Sequence, residues 1–158
     1  MRGAVFAFAV AAVVFLVTWL VVAVGGPDVM PIHYGPGGAD EWGSRGSFLV
    51  MSLIGVVIAF ALLAMGLNAK RIPQRVINTP HRDYWLGNEH RKQFDELMAS
   101  MLAGIGALIL LLSAMINIAG MWVRDQSWYF PTVLVVFVIG MIAVVGRPIA
   151  TLYRAPRI

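Results

Sequence analysis

Four stretches of this chain are long, apolar and free of charge: residues 4–24, 48–67, 97–123 and 130–145. They constrain the fold more than anything else in the sequence. A bilayer core of about 30 Å takes roughly 20 residues of helix at about 1.5 Å each. Conventionally polar side chains are few within them: Thr18 in the first, Ser52 in the second, Ser100, Ser113 and Asn117 in the third, and Thr132 in the fourth. The fourth is short by itself and extends to about residue 150 when the Arg147 side chain snorkels to the interface. Apolar residues fall on every side of each run, unlike the alternating strands of a membrane barrel. The expected spans are therefore 4–24, 48–67, 97–123 and 130–150, in a single all-α membrane domain covering 1–158.

Composition agrees. Hydrophobic residues make up 59% and charged residues 13%, with a mean hydropathy of +0.79. Soluble chains carry about 25% charged residues, so the apolar surplus here must face lipid. Cysteine is absent, which removes thiolate catalysis, disulfides and cysteine metal ligands. The first run follows Arg2 as a secretory signal would, but it exceeds the about 7–15 apolar residues of such signals and lacks their small-residue exit. It reads as a retained span.

Lys and Arg set the orientation. Arg2, then Lys70, Arg71, Arg75, Arg82, Arg91 and Lys92 in the loop 68–96, then Arg147, Arg154 and Arg157 lie on one side. Arg45 and Arg124 lie on the other. This asymmetry predicts cytoplasmic termini, a cytoplasmic loop 68–96 and an outer loop 25–47. Trp42, Trp122, Trp128 and Tyr129 then flank the outer ends of the spans and Tyr153 the inner end of the last, as interfacial aromatics do. Short connections predict a four-helix antiparallel bundle. Its expected contact faces are small residues four apart: Ser100 with Gly104, Ala103 with Ala107, Gly55 with Ala59. Asn117, one turn beyond Ser113, is expected to hydrogen-bond a neighbouring helix, because an unpaired amide is costly in hydrocarbon. No ionisable residue lies inside the four runs, which argues against a proton-coupled carrier acting as a monomer.

The outer loop carries the chemistry. Pro27, Pro31 and Pro36 among many glycines predict a folded turn structure, with one extended piece over residues 30–34 and a serine cap on the second helix, Ser47 standing nearer its apolar run than Ser44. His33, Asp40 and Glu41 are the weak candidates for a metal, since imidazole plus carboxylates suits zinc, but their spacing matches no specific motif. The competing reading has His33 hydrogen-bonded within the loop and the acids hydrated or paired with Arg45.

In the cytoplasmic loop, Thr79 and Pro80 predict an extended turn, and Tyr84, Trp85 and Leu86 an aromatic anchor in the headgroup layer. Asn88 is the expected cap of a third helix beginning near Glu89. His81, Asp83, Glu89 and His90 fit no known ligand spacing. The loop's basic residues read as a collar on anionic lipid or a dock for a cytoplasmic protein, and topology accounts for them before nucleic acid does.

Pro31, His33, Tyr34, Gly35, Gly38, Asp40, Trp42, Gly43, Ser44 and Arg45, entering a span, closely resemble the pattern of the small bacterial membrane domain called domain of unknown function 1648. Arg45 stands where that pattern usually has Lys. The resemblance covers about residues 10–70. Asn78, Pro80, Asp83, Tyr84 and Trp85 resemble a further segment of members of that group. The domain also occurs in sporulation-delaying-protein immunity proteins, which protect a producer from its own toxic peptide and signal to a repressor; their additional carboxyl-terminal membrane module is not recognisable here. The resemblance implies a non-enzymatic protein of the bacterial plasma membrane, without cofactor, that binds a peptide or partner at Pro31, His33, Tyr34, Gly38, Asp40, Trp42 and Arg45. An accessory subunit of a larger membrane complex or transporter is the alternative expectation.

Overall fold

The computed structural model describes residues 1–35, 37–123 and 128–154. Pro36, Arg124 and Arg157, which entered the turn and charge arguments, lie outside the described residues. The chain is mostly helical and includes four helices long and apolar enough to cross a membrane. These are α1 (Arg2–Gly25), α2 (Arg45–Leu67), α4 (Arg91–Ile118, continued by a π-helical turn at Ala119–Val123) and α5 (Tyr129–Tyr153). A short α3 (Arg82–Leu86) and two single 3₁₀ turns lie between α2 and α4.

Each long helix outruns its charge-free stretch. The apolar criterion marks only what must sit in hydrocarbon, whereas backbone hydrogen bonding continues through the polar interface. α5 therefore runs through Arg147 and carries Pro148 inside it. Of the two serines expected to cap α2, Ser44 does so, its Oγ accepting from the Ser47 backbone N–H at 3.1 Å. The expected cap of the next long helix differs. α4 starts at Arg91 behind His90, with Asn88 left in the preceding turn. There Arg91 makes an i, i+4 ion pair with Asp95 at 2.9 Å.

The helices meet through small residues, because close backbone approach is the main source of packing energy where lipid competes equally for apolar surface. α4 is the hub. A Cβ on Gly106 would fall 2.7 Å from the Phe8 ring of α1 and 2.9 Å from the Ala59 carbonyl oxygen of α2. Gly66 of α2 lies against Ala99, and Gly55 against Ser113. Gly104 lies against Val144 of α5, and Gly140 against Leu108. Ala103 and Ala107 are buried, as the small-residue spacing predicts. So is Asn117, whose Nδ2 donates to Thr18 Oγ1 of α1 at 3.1 Å while Oδ1 has no partner among the described residues. α1 and α2 touch through the Phe8–Phe60 edge contact and the Trp19 indole, which donates to the Leu49 carbonyl at 3.2 Å.

The connection from α1 to α2 is a β-hairpin, β1 (Val29–Gly35) with β2 (Gly38–Ser44). Only the first strand was expected as extended structure. β2 reads Gly-Ala-Asp-Glu-Trp-Gly-Ser, a composition with little strand preference, and it is extended because β1 supplies its ladder. Gly38, at φ 111°, takes a conformation natural to glycine where the chain turns back.

Candidate functional site

The hairpin is seated on the helix ends from below. Met30 is fully buried between Val22 of α1 and Phe48 of α2, and a Cβ on Gly120, in the π-helical turn, would lie 2.7 Å from the Met30 methyl. Arg45 ties its feet. Its guanidinium donates to the Gly26 carbonyl at 2.9 Å and to Asp28 Oδ1 at 3.2 Å, and its backbone N–H donates to the Asp28 carbonyl at 2.9 Å. The acid that pairs Arg45 is thus Asp28, rather than Asp40 or Glu41.

Register shifts on either side of His33 set the chemistry of the exposed face. His33 lies opposite Glu41 in the ladder, but the irregularity turns its ring toward Asp40, and Nδ1–H donates to Asp40 Oδ1 at 2.6 Å. That hydrogen bond, then the Asp40 charge and more weakly Glu41, holds the imidazole above its ordinary 6.5. Both partners are exposed. The pair stands beside Glu41 and the partly exposed Trp42. Among the described residues no three His, Cys, Asp or Glu side chains gather to hold a metal ion.

Tyr34 turns the other way, into the protein. Its ring stacks on Phe130 of α5, centroids 5.0 Å apart and 8° from parallel. Its hydroxyl is buried without a hydrogen-bond partner among the described residues, and burial, with the nearby Tyr129, pushes it up to about 12. Pro31 and Tyr34 of the hairpin, with Phe48 and Met51 of α2, Ser113 of α4 and Phe130 of α5, line a cavity of about 400 Å³. Pro31, His33, Tyr34, Gly38, Asp40, Trp42 and Arg45 are therefore all in one small unit, divided between two faces. His33 and Asp40 are exposed, His33 and Tyr34 both line the cavity, and Arg45 holds the base. Sequence reasoning missed Asp28, Met30 and Phe130, for which no local pattern gave a signal.

No family model, curated protein or solved structure matches the chain.

At the opposite end, residues 68–90 fold back on the helices. Trp85 and Leu86 are buried with Phe94 of α4 and Leu152 of α5, and the Trp85 indole donates to the Leu152 carbonyl at 3.0 Å. This revises the expected headgroup anchor, since Trp85 is 2% exposed and bridges two helices. Tyr84 stacks on His90 at 3.9 Å, Asn78 and Asp83 stay exposed, and Pro80 precedes His81, which sits in the left-handed region at φ 49°. Arg91 reaches from α4 to the carbonyls of Ala69 and Ile72 at 3.1 and 3.4 Å, and Arg82 to that of Gln74 at 3.0 Å. Arg82 and Arg91 are thus committed to backbone carbonyls rather than to lipid phosphates.

Proposed function

We propose that this chain is a non-enzymatic, multi-pass protein of the bacterial plasma membrane that binds a peptide or protein partner at its outer hairpin, in an immunity or signalling role like that of the group its loop resembles. One observation carries the reading: a seven-by-seven-residue hairpin is clamped by Arg45 and Met30 while its His33–Asp40 face stays open. A rigid loop with exposed polar groups loses little entropy on binding, which is what a recognition surface requires. The contact pairs support the antiparallel bundle: residue numbers rise together between α1 and α4 and oppositely between α2 and α4 and between α4 and α5. With the Lys and Arg asymmetry they support cytoplasmic termini. Single cysteines at Gly37 and Arg75 in intact cells test this, the first expected to react with an impermeant maleimide and the second not.

Function is tested by challenging a deletion strain with toxic peptides or envelope stress after complementation with His33→Ala or Trp42→Ala. Lost protection is expected, and full protection by both variants refutes the reading. An accessory-subunit role is favoured by a groove between α1 and α2, lined by Val13, Leu16, Trp19, Leu53 and Phe60 and almost wholly apolar. A stoichiometric partner after gentle detergent purification would favour that role.

A further inference from the structure

A cavity distinct from the one under β1 lies at the end of the helices away from the hairpin, where α2 stops and α4 starts. Its volume of about 560 Å³ falls within the usual range for ligand sites, about 300–1,000 Å³. On α4 it is lined by Arg91, Lys92, Asp95, Glu96 and Ala99, one face of the helix over about 12 Å of its axis. The charged side chains of that face come first. At the far end Gly66 of α2 lies against the Ala99 backbone and Leu67 is half exposed, so in a bilayer this end borders hydrocarbon. A slot that grades from charge to lipid has the polarity of an amphiphile standing at the membrane interface.

The charges at the mouth are not equivalent. Arg91 builds the wall: its guanidinium donates to Asp95 at 2.9 Å and to the Ala69 and Ile72 carbonyls at 3.1 and 3.4 Å. These bonds answer the Asp95 charge and pin the turn after α2 to the first turn of α4, which sets Lys70 and Lys92 on the same cavity. Both lysines are exposed, and neither has a hydrogen-bond or ion-pair partner among the described residues. Asn88, in the turn before α4, adds an amide to the lining. Three cationic side chains against two carboxylates leave the lining one positive charge in excess, which matches a single phosphodiester. Arg71 and Arg75 are equally exposed and close in sequence to Lys70, but they do not line the cavity.

We propose that this cavity binds one anionic glycerophospholipid, its phosphodiester held between the Lys70 and Lys92 ammonium groups and its acyl chains leaving past Leu67 into the bilayer. A free phosphate would use the charged mouth and leave the apolar end empty; a lipid uses both. The site differs from a diffuse basic collar, in which every exposed cation would count alike. Its occupancy does not depend on what the hairpin recognises.

The test is native mass spectrometry of the delipidated full chain in maltoside, titrated with palmitoyl-oleoyl phosphatidylglycerol, dioleoylglycerol and sodium phosphate. The wild type is expected to prefer phosphatidylglycerol to dioleoylglycerol by about 25-fold, or about fivefold per lysine, the equivalent of about 1 kcal/mol each. Lys70→Gln and Lys92→Gln should each weaken phosphatidylglycerol by about fivefold and leave dioleoylglycerol unchanged. Their thermal midpoints without lipid should match the wild type, because neither lysine has a partner to lose. Arg71→Gln and Arg75→Gln, which remove the same charge from outside the cavity, should leave phosphatidylglycerol binding unchanged. Sodium phosphate at equal concentration should not displace the lipid. Equal losses in all four variants would mean a diffuse collar, and displacement by phosphate would mean an ion site without lipid selectivity. Either result, or equal wild-type affinity for the two lipids, overturns the proposal.

Discussion

The same substitution, Gly→Ala, should have opposite effects at two helical positions of this protein. At Gly106 the new methyl would lie 2.7 Å from the Phe8 ring and 2.9 Å from the Ala59 carbonyl oxygen. The ring edge can yield by a small rotation, but the oxygen is backbone of α2 and moves only with its helix. Overpacking of this kind costs about 1–3 kcal/mol, against a gain of about 0.5–1 kcal/mol for replacing glycine in a helix. At Gly146, on α5, nothing lies within 4 Å, so only the gain applies. Gly66→Ala should fall between them, its nearest neighbours being the Ala99 Cα at 3.1 Å and carbonyl oxygen at 3.3 Å. Unfolding by sodium dodecyl sulfate in mixed micelles, followed by circular dichroism, should rank the midpoints Gly106→Ala, Gly66→Ala, wild type, Gly146→Ala, lowest first. A Gly106→Ala midpoint equal to or above that of Gly146→Ala would mean that α1, α2 and α4 do not converge at this residue.

Three further outcomes are expected. His33 is raised above its ordinary 6.5 by Asp40, so the strand-to-strand tie is fully present below about pH 6.5 and is lost as pH climbs through the raised value; Asp40→Asn should bring the imidazole titration, read by NMR, back down. Trp85→Phe keeps a buried ring but strands the Leu152 carbonyl, costing about 1–3 kcal/mol and accelerating tryptic cleavage in residues 68–90. Unchanged cleavage would argue that the indole bond holds nothing. Arg45→Ala should speed amide exchange through residues 29–44, since the guanidinium reaches both Gly26 and Asp28, while exchange in the middle of α4 stays slow.

The spans could be read from the sequence because hydrocarbon imposes a demand that every residue of a run must meet, and a charge-free run of 20 or so is hard to mistake. Asn117 was legible for the same reason: an amide at that depth needs a partner, and Thr18 is there. The hairpin was only half legible. Strand preference is a surface property that a partner can override, and β2, with two glycines and two acids around one Trp, has little of its own. The His33–Asp40 pair depends on a register irregularity, which no composition specifies. Trp85 was read as an interfacial aromatic because its neighbours are basic. Its burial depends on where α5 ends, 67 residues later. The stacking of Tyr34 on Phe130 is long-range in the same way.

The central position of α4 bears on how the polypeptide matures. α1 and α2 meet at Phe8–Phe60 and Trp19–Leu49, yet the amide partner of Thr18, the Ser113 side chain against Gly55 and the Ala99 backbone against Gly66 all arrive with α4. A ribosome that has finished α1 and α2 has made a pair still waiting for its mould. Residues 10–70 lack the helix against which both α1 and α2 pack, and cutting the gene after them should yield helices that insert but do not settle.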